Sequence, residues 1–371
     1  MANHVFPRLV AVVSLGVLAF SGNATASSTC SSSFYTQYQS CLSNSLACSP
    51  YASPQEYVAA HPGCFPGGSS ASQAQVSGSS FQQVGAISSS LSSRMLGGAG
   101  PTQVSGAPVQ GMAAGGKNAW NLWGNVAVND TRQSFAIGPN LIKNDLNVTN
   151  LVVGADYALA PGMVLGVSGA FDRGEGSMQP TAVAPREAST TKGYAIAPYL
   201  GYQLSKELAL DASIGFGSGK NSGSGNMESE GDRLFYAANL NYSRWVRNLQ
   251  FTGKLGYLHG EEDFGNTKVN GATMNNTAAK NKLDRWLFGV QAGYWMGDGV
   301  QPYAGLSYLA DRRSSSQAGT DPVGKSAWQW ALGVNFFSLA SGVTGGVAYT
   351  QEDGRSNQKN SALSANIGIR F

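Results

Sequence analysis

The chain has 371 residues, with 24 basic and 21 acidic side chains and a formal charge of +3. Only 12% of its residues are charged, about half the share of a soluble globular protein. No basic run or dominant positive field is present, which excludes nucleic acid as a partner.

Arg8, the apolar stretch Leu9 to Phe20 and the small-residue motif Ala24-Thr25-Ala26 read as a secretory signal peptide over 1–26. Its apolar core is too short to be a stable transmembrane helix. Elsewhere no apolar run reaches about 18 residues, so no helix is expected to span a membrane. A spanning protein of this kind must be a closed barrel.

Residues 27–66 contain all four cysteines, Cys30, Cys41, Cys48 and Cys64. Export places them in an oxidising compartment, so two disulfides are expected, with three connectivities open. A metal site would want a Cys-x-x-Cys pair, which is absent, and His61 is the one nearby imidazole. Phe34, Tyr35, Tyr38, Cys41 and Leu42 recur at helical spacing, and Ser53-Pro54 looks like a second helix start. A small helical segment stapled by disulfides is the reading.

Residues 67–117 read as a Gly/Ser-rich linker interrupted by one helix at about 81–96. Phe81, Val84, Ile87, Leu91 and Met95 form its stripe, and Gly97-Gly98 ends it. About sixteen residues give a length of roughly 24 Å.

From residue 118 to the end the period changes to two. Leu208, Leu210, Ala212, Ile214 and Phe216 alternate with Glu207, Ala209, Asp211, Ser213 and Gly215. Leu363, Ala365, Ile367, Ile369 and Phe371 alternate with Ser364, Asn366, Gly368 and Arg370. A soluble sandwich also alternates. Here the segments are about ten residues long, the polar face mixes Gly and Ala with amides and single charges, and short connections alternate with long ones. Those are the marks of an outer-membrane barrel with short periplasmic turns and long external loops.

Twelve strands result: 119–129, 147–159, 162–172, 193–204, 206–216, 232–246, 249–259, 283–296, 299–310, 327–337, 342–351 and 360–371. The fold class is therefore all-β, a 12-stranded antiparallel transmembrane barrel with outer-membrane lipid as its partner. Trp120, Tyr157, Tyr202, Trp245, Trp295 and Phe371 are expected at the periplasmic interface, and Trp286, Tyr194 and Tyr349 at the outer one.

Val153-Gly154-Ala155-Asp156-Tyr157, Pro161-Gly162-Met163, Leu165-Gly166-Val167-Ser168-Gly169, and Gly193-Tyr194 with Pro198-Tyr199-Leu200-Gly201-Tyr202 follow in order. With the ending Asn366-Ile367-Gly368-Ile369-Arg370-Phe371, this series resembles the autotransporter translocator domain over residues 118–371. The resemblance implies type V secretion: a barrel with a helix through its pore, linked to a passenger outside. It also implies that Ile367, Ile369 and Phe371 form the signal read by the barrel-assembly machinery.

On this resemblance, Phe81, Val84, Ile87, Leu91, Arg94 and Met95 belong to the pore helix. Asp156, Asp211, Lys254 and Arg370 are the candidates to line the lumen around it. Twelve strands should leave room for about one helix of ~10 Å diameter. The passenger departs from the family pattern, because family passengers are long, β-helical and lack cysteines. Surface display, periplasmic retention or a small plug all remain open for the N-terminal segment.

No catalytic, cofactor or metal site is found. Outside the signal, His61 and His259 are the two imidazoles. No G-x-S-x-G elbow occurs, and Gly217-Ser218-Gly219-Lys220 lacks the spacing of a phosphate loop. His259-Gly260-Glu261-Glu262-Asp263 reads as a solvated loop. The function expected is a monomeric translocator at the outer membrane. Alternatives are an adhesive barrel that binds host or surface ligands through its loops, and a small-solute pore.

Overall fold

The computed structural model describes residues 37, 40–41, 49, 70–96, 119–137, 140–179, 186–223, 226–297, 299–316, 323–338 and 342–371. The expected signal peptide, Cys30, Cys48, Cys64 and residues 97–118 lie outside the described residues. Cys41 is buried and disulfide-bonded.

Helix α1 (Ser70–Met95) precedes the wall. The strands follow in order: β1 (Trp120–Ile137), β2 (Asn140–Ala160), β3 (Met163–Gln179), β4 (Glu187–Gln203), β5 (Leu208–Gly223), β6 (Met227–Val246) and β7 (Leu249–Phe264). A small external hairpin comes next, β8 (Lys268–Val269) and β9 (Ala272–Thr273). The wall resumes with β10 (Ala279–Tyr294), β11 (Val300–Ser315), β12 (Ser326–Ser338), β13 (Val343–Asp353) and β14 (Gln358–Arg370).

Each wall strand pairs antiparallel with its neighbours, and β1 pairs with both β2 and β14, so the sheet closes. Reciprocal backbone bonds of 3.1 Å join Trp120 and Phe371 at the seam. Closure removes the sheet edges, the condition under which strands can sit in hydrocarbon.

The side-chain alternation sorts the wall into two faces. On β5, Leu210, Ile214 and Phe216 are exposed to the outside, while Ala209, Asp211 and Ser213 between them are buried in the lumen. Exposed apolar side chains recur outward on every wall strand, from Leu122 and Val126 on β1 to Leu363 and Ile367 on β14. Such a band would be intolerable in water but matches a lipid environment.

The strands run further than the sequence reading placed them. β2 starts at Asn140 instead of 147 and β6 at Met227 instead of 232. The added residues lie on the external side. There the outward face meets water, so the apolar alternation that marks a membrane strand disappears while the hydrogen-bond ladder continues. Helix α1 likewise begins at Ser70, eleven residues before 81. Its Ser and Gly content lowers intrinsic helix propensity, and tertiary surroundings override that preference.

Two members of the expected aromatic belt are misplaced by the sequence reading. Trp120, Tyr157, Tyr202 and Phe371 are exposed on the outer surface near the short turns, and Trp286, Tyr194 and Tyr349 near the other end. Trp245 and Trp295 instead face inward. Tyr242 and Val246 point out of β6, so Trp245 belongs to the opposite face. It meets the buried Trp295 edge-on at 6.4 Å, and Trp295 lies 5.8 Å from Phe337. Together these rings narrow the periplasmic end of the lumen.

Inward aromatics are also laid over cross-strand glycines. Trp123 faces Gly154, Tyr199 faces Gly166, Phe235 faces Gly215 and Tyr303 faces Gly333. A methyl group on any of these glycines would overlap the ring. The missing side chain lets each ring lie flat along the wall and keeps the lumen open for α1.

Candidate functional site

The lumen is the site, and α1 lies in it. The helix packs mainly on β1–β7 and β10. Its stripe Val84, Ile87, Leu91 and Met95 is buried there. Leu91 and Met95 come within 3.0 Å of where a side chain at Gly201 would start, so this glycine gives the stripe its close approach to β4. Phe81 is half-buried beneath the Arg285 guanidinium, 4.8 Å from the ring centre. The contact is a cation–π pair.

At the periplasmic end, Arg94 forms a fully buried ion pair with Asp156. Arg94 Nη2 also donates to the Ala119 carbonyl at 2.6 Å. The other Asp156 oxygen accepts from Tyr199 Oη at 2.9 Å and from Asn121 Nδ2 at 3.0 Å. Trp123 Nε1 in turn donates to Tyr199 Oη at 2.7 Å. Asn121 reaches back to Ser90 on the helix at 3.2 Å. A cation in the last turn also complements the helix dipole. Arg370 Nη2 donates to the Ser93 carbonyl at 2.9 Å and to Ser93 Oγ at 3.2 Å.

Midway along the lumen, Asp211 accepts from Ser88 Oγ at 2.7 Å, Asn239 Nδ2 at 2.6 Å and Asn241 Nδ2 at 2.7 Å. Gln83 donates to Ser168 and Gln82 to Asn129. Of the four lumen positions read from sequence, Asp156, Asp211 and Arg370 therefore touch α1 directly. Lys254 faces the lumen beside the helix without touching it through a hydrogen bond.

Toward the outer end the lumen holds two charge networks that the sequence reading missed. On one side Arg285, Arg313 and Arg355 converge on Asp311 at 2.7, 2.9 and 2.9 Å, and Arg355 also reaches Glu352. On the other, Arg233 joins Asp172 at 2.6 Å and Glu262 at 3.1 Å. Asp311, Arg313, Glu352, Arg355 and Glu262 sit in segments read as loops, while Asp172, Arg233 and Arg285 lie within the strands as read. Continuing the period-two count past 259 would have put Glu262 inside.

The acidic run at 259–263 consequently splits between faces. His259 stacks on Tyr236 at 4.8 Å and bonds Asp284 at 2.7 Å on the outer surface. Glu261 faces out and pairs with Lys280 and Lys282. Glu262 is fully buried, and its Oε2 has no hydrogen-bond partner.

Glu262 lies above the membrane band, beyond the outer aromatic ring of Tyr236, Tyr257 and Trp286. Burial pushes its carboxyl up to about 7 against the pull of Arg233, with the Asp172 charge adding to the rise. One cation between two acids leaves a surplus negative charge that protonation removes. The folded protein thus holds a proton between about pH 4.5 and 7 that the unfolded chain has released. Its contribution is full below about pH 4.5 and is lost as pH rises through 7, a change on the order of 3 kcal/mol. Glu262→Gln should flatten that segment of the stability profile in urea unfolding at pH 4.5 to 8. An unchanged slope in the variant would assign the pH response to other groups.

A closed barrel of twelve strands, apolar outside and polar inside, with a single helix seated in the lumen, defines an outer-membrane barrel of the plugged type. Residues 122–350 match the autotransporter beta-domain family, and the chain belongs to it. No curated protein matches. The translocator domain of the autotransporter NalP from Neisseria meningitidis is similar, at 12% identity and TM-score 0.53, covering 68% of this chain and 89% of that one. The beta domain of the Bordetella autotransporter BrkA shares 15% identity at TM-score 0.52, covering 68% and 100%. The transport unit of AIDA-I from Escherichia coli shares 12% at TM-score 0.51, covering 77% and 97%. The protein is an outer-membrane translocator for a passenger, and its domain type serves secretion and not catalysis.

Proposed function

We propose that the passenger is the short segment 27–69, that it is carried outward through this barrel, and that α1 remains behind as the plug. The observation that carries this is the polarity of the helix. Its C-terminal Arg94 is fixed beside Ala119 and Asp156 at the end with the short turns. Phe81, nearer its start, lies at the Arg285 level toward the external end. The N-terminal end of α1 therefore points toward the external mouth. The 26 residues of α1 span about 39 Å at 1.5 Å each, more than the ~30 Å hydrocarbon core.

The exposed apolar faces of Ile367, Ile369 and Phe371 on the closing strand support their reading by the barrel-assembly machinery. Catalysis forms no part of this assignment. An epitope tag after Ser28 and protease treatment of intact cells test it. Loss of the tag while the barrel keeps its heat-modifiable gel mobility is the expected outcome. A tag protected until the outer membrane is permeabilised would place the segment in the periplasm and refute export.

A further inference from the structure

Helix α1 does not fill the lumen. It packs mainly on β1–β7 and β10, and a cavity of about 340 Å³ remains beside it, lined by β1, β6, β7 and β10–β14. The helix face that borders it carries mostly small side chains, Gly85, Ser89 and Ser92 among them. A methyl at Gly85 would meet nothing within 4 Å. The wall opposite is thinned as well, by Gly289, Gly305 and Ala331.

The charge of this cavity is one-sided. Lys254 and Arg370 line it, and no carboxylate does. Arg370 is engaged with Ser93. Lys254 makes no hydrogen bond or ion pair with any described residue. The one carboxylate that acts on it electrostatically is Asp211, whose oxygens are already taken by Ser88, Asn239 and Asn241. An ammonium held inside a barrel wall without a counter-charge is costly. The hydroxyls of Ser89, Thr252 and Ser307 and the amide of Gln291 also line the space.

We propose that this cavity is a binding site for a small oxyanion, with Lys254 as its counter-charge and the surrounding hydroxyls and amide as hydrogen-bond donors. The volume is within the range of small-ligand pockets and exceeds what one water needs. Charge-assisted bonds to an ammonium are the strong kind, and the absence of any lining acid selects against cations. Asn121 and Trp123 of the Asp156 anchor border the same cavity, but Lys254 takes no part in the anchor's hydrogen bonds, and the proposal does not depend on which segment is exported.

The test uses the full chain folded in detergent, with inorganic phosphate as the probe at constant ionic strength. The midpoint of heat-modifiable unfolding should rise saturably with phosphate in the unaltered protein. Lys254→Met should weaken the apparent affinity at least ten-fold, and Lys254→Arg should keep it. Ser307→Asp gives a second route that leaves the lysine in place. Ser307 Oγ lies 2.7 Å from where a side chain on Gly289 would start, and Gly289 pairs across the sheet with Lys254. The new carboxylate reaches over that gap toward the ammonium and should abolish the phosphate response. No saturable rise in the unaltered protein, or an equal rise in Lys254→Met or Ser307→Asp, overturns the proposal.

Discussion

Asp156→Ala should destabilise the folded barrel by about 3–5 kcal/mol, the usual cost of stripping one partner from a buried ion pair. The loss is large because the carboxylate is the hub of the periplasmic anchor. It faces Arg94, Tyr199 and Asn121 at once, and its side chain is wholly buried. Removing it leaves a guanidinium in the lumen whose remaining bonds are to the backbone carbonyls of Ala119 and of residue 156. It also leaves the Tyr199 hydroxyl without its acceptor and the Asn121 amide with Ser90 alone. Asp156→Asn keeps the shape and part of the hydrogen bonding, and should lose less.

The double variant Arg94→Ala with Asp156→Ala removes the charge on both sides, and should recover part of the single-variant loss. A second consequence concerns the plug. With the anchor gone, α1 is held by Ser88 on Asp211, Gln83 on Ser168, Gln82 on Asn129, Asn121 on Ser90, Arg370 on Ser93, the Phe81–Arg285 contact and its apolar stripe. Open-channel events in a planar bilayer should become more frequent in Asp156→Ala than in the unaltered protein. Stability within about 1 kcal/mol of the starting protein, together with unchanged conductance, would show that the helix is seated without this pair.

Period-two alternation reports which environments the two faces of a strand meet. It is legible wherever one face meets lipid, as at Leu210, Ile214 and Phe216. The same rule goes quiet above the membrane, where Arg233 and Glu262 are buried inward although Asp232 and Glu261 face water outward. A charge run then looks like a loop, and Glu262, Asp311, Arg313, Glu352 and Arg355 are hidden in such segments. The aromatic belt shows the converse failure. Trp245 and Trp295 were placed by nearness to a segment end, while parity, which decides the face, puts them inside.

The lumen contacts of α1 were legible for a different reason. A charge on a membrane strand belongs to the face turned from lipid, so Asp156, Asp211 and Arg370 are visible one at a time. Their partners on the helix are not. Ser88 and Ser93 look like filler in a stretch of serines until the depth of the helix in the barrel fixes which hydroxyl meets which carboxylate. Glycines are similarly mute in sequence. Forty-eight are present, and only the cross-strand register tells a glycine that makes room for a ring from one that faces lipid.

Gly217 and Gly169 illustrate that distinction and carry the second large prediction. A side chain at Gly217 would start on the Tyr194 carbonyl oxygen and lie 2.8 Å from Ala195 Cα. Both are backbone atoms of β4, so no rotamer change relieves the overlap, and β4 and β5 would have to part. Gly217→Ala should therefore destabilise by roughly 3 kcal/mol, the upper part of the range for overpacking. Gly169 faces outward on β3 with nothing within 4 Å of an added methyl. Gly169→Ala should fall within about 0.5 kcal/mol of the unaltered protein. Because every wall strand is needed for closure, opening one seam exposes two sheet edges at once. Cells carrying Gly217→Ala should show a marked loss of the heat-modifiable species, with Gly169→Ala at normal levels. Equal folding of the two would mean that the wall can part at β4 and β5 without losing closure.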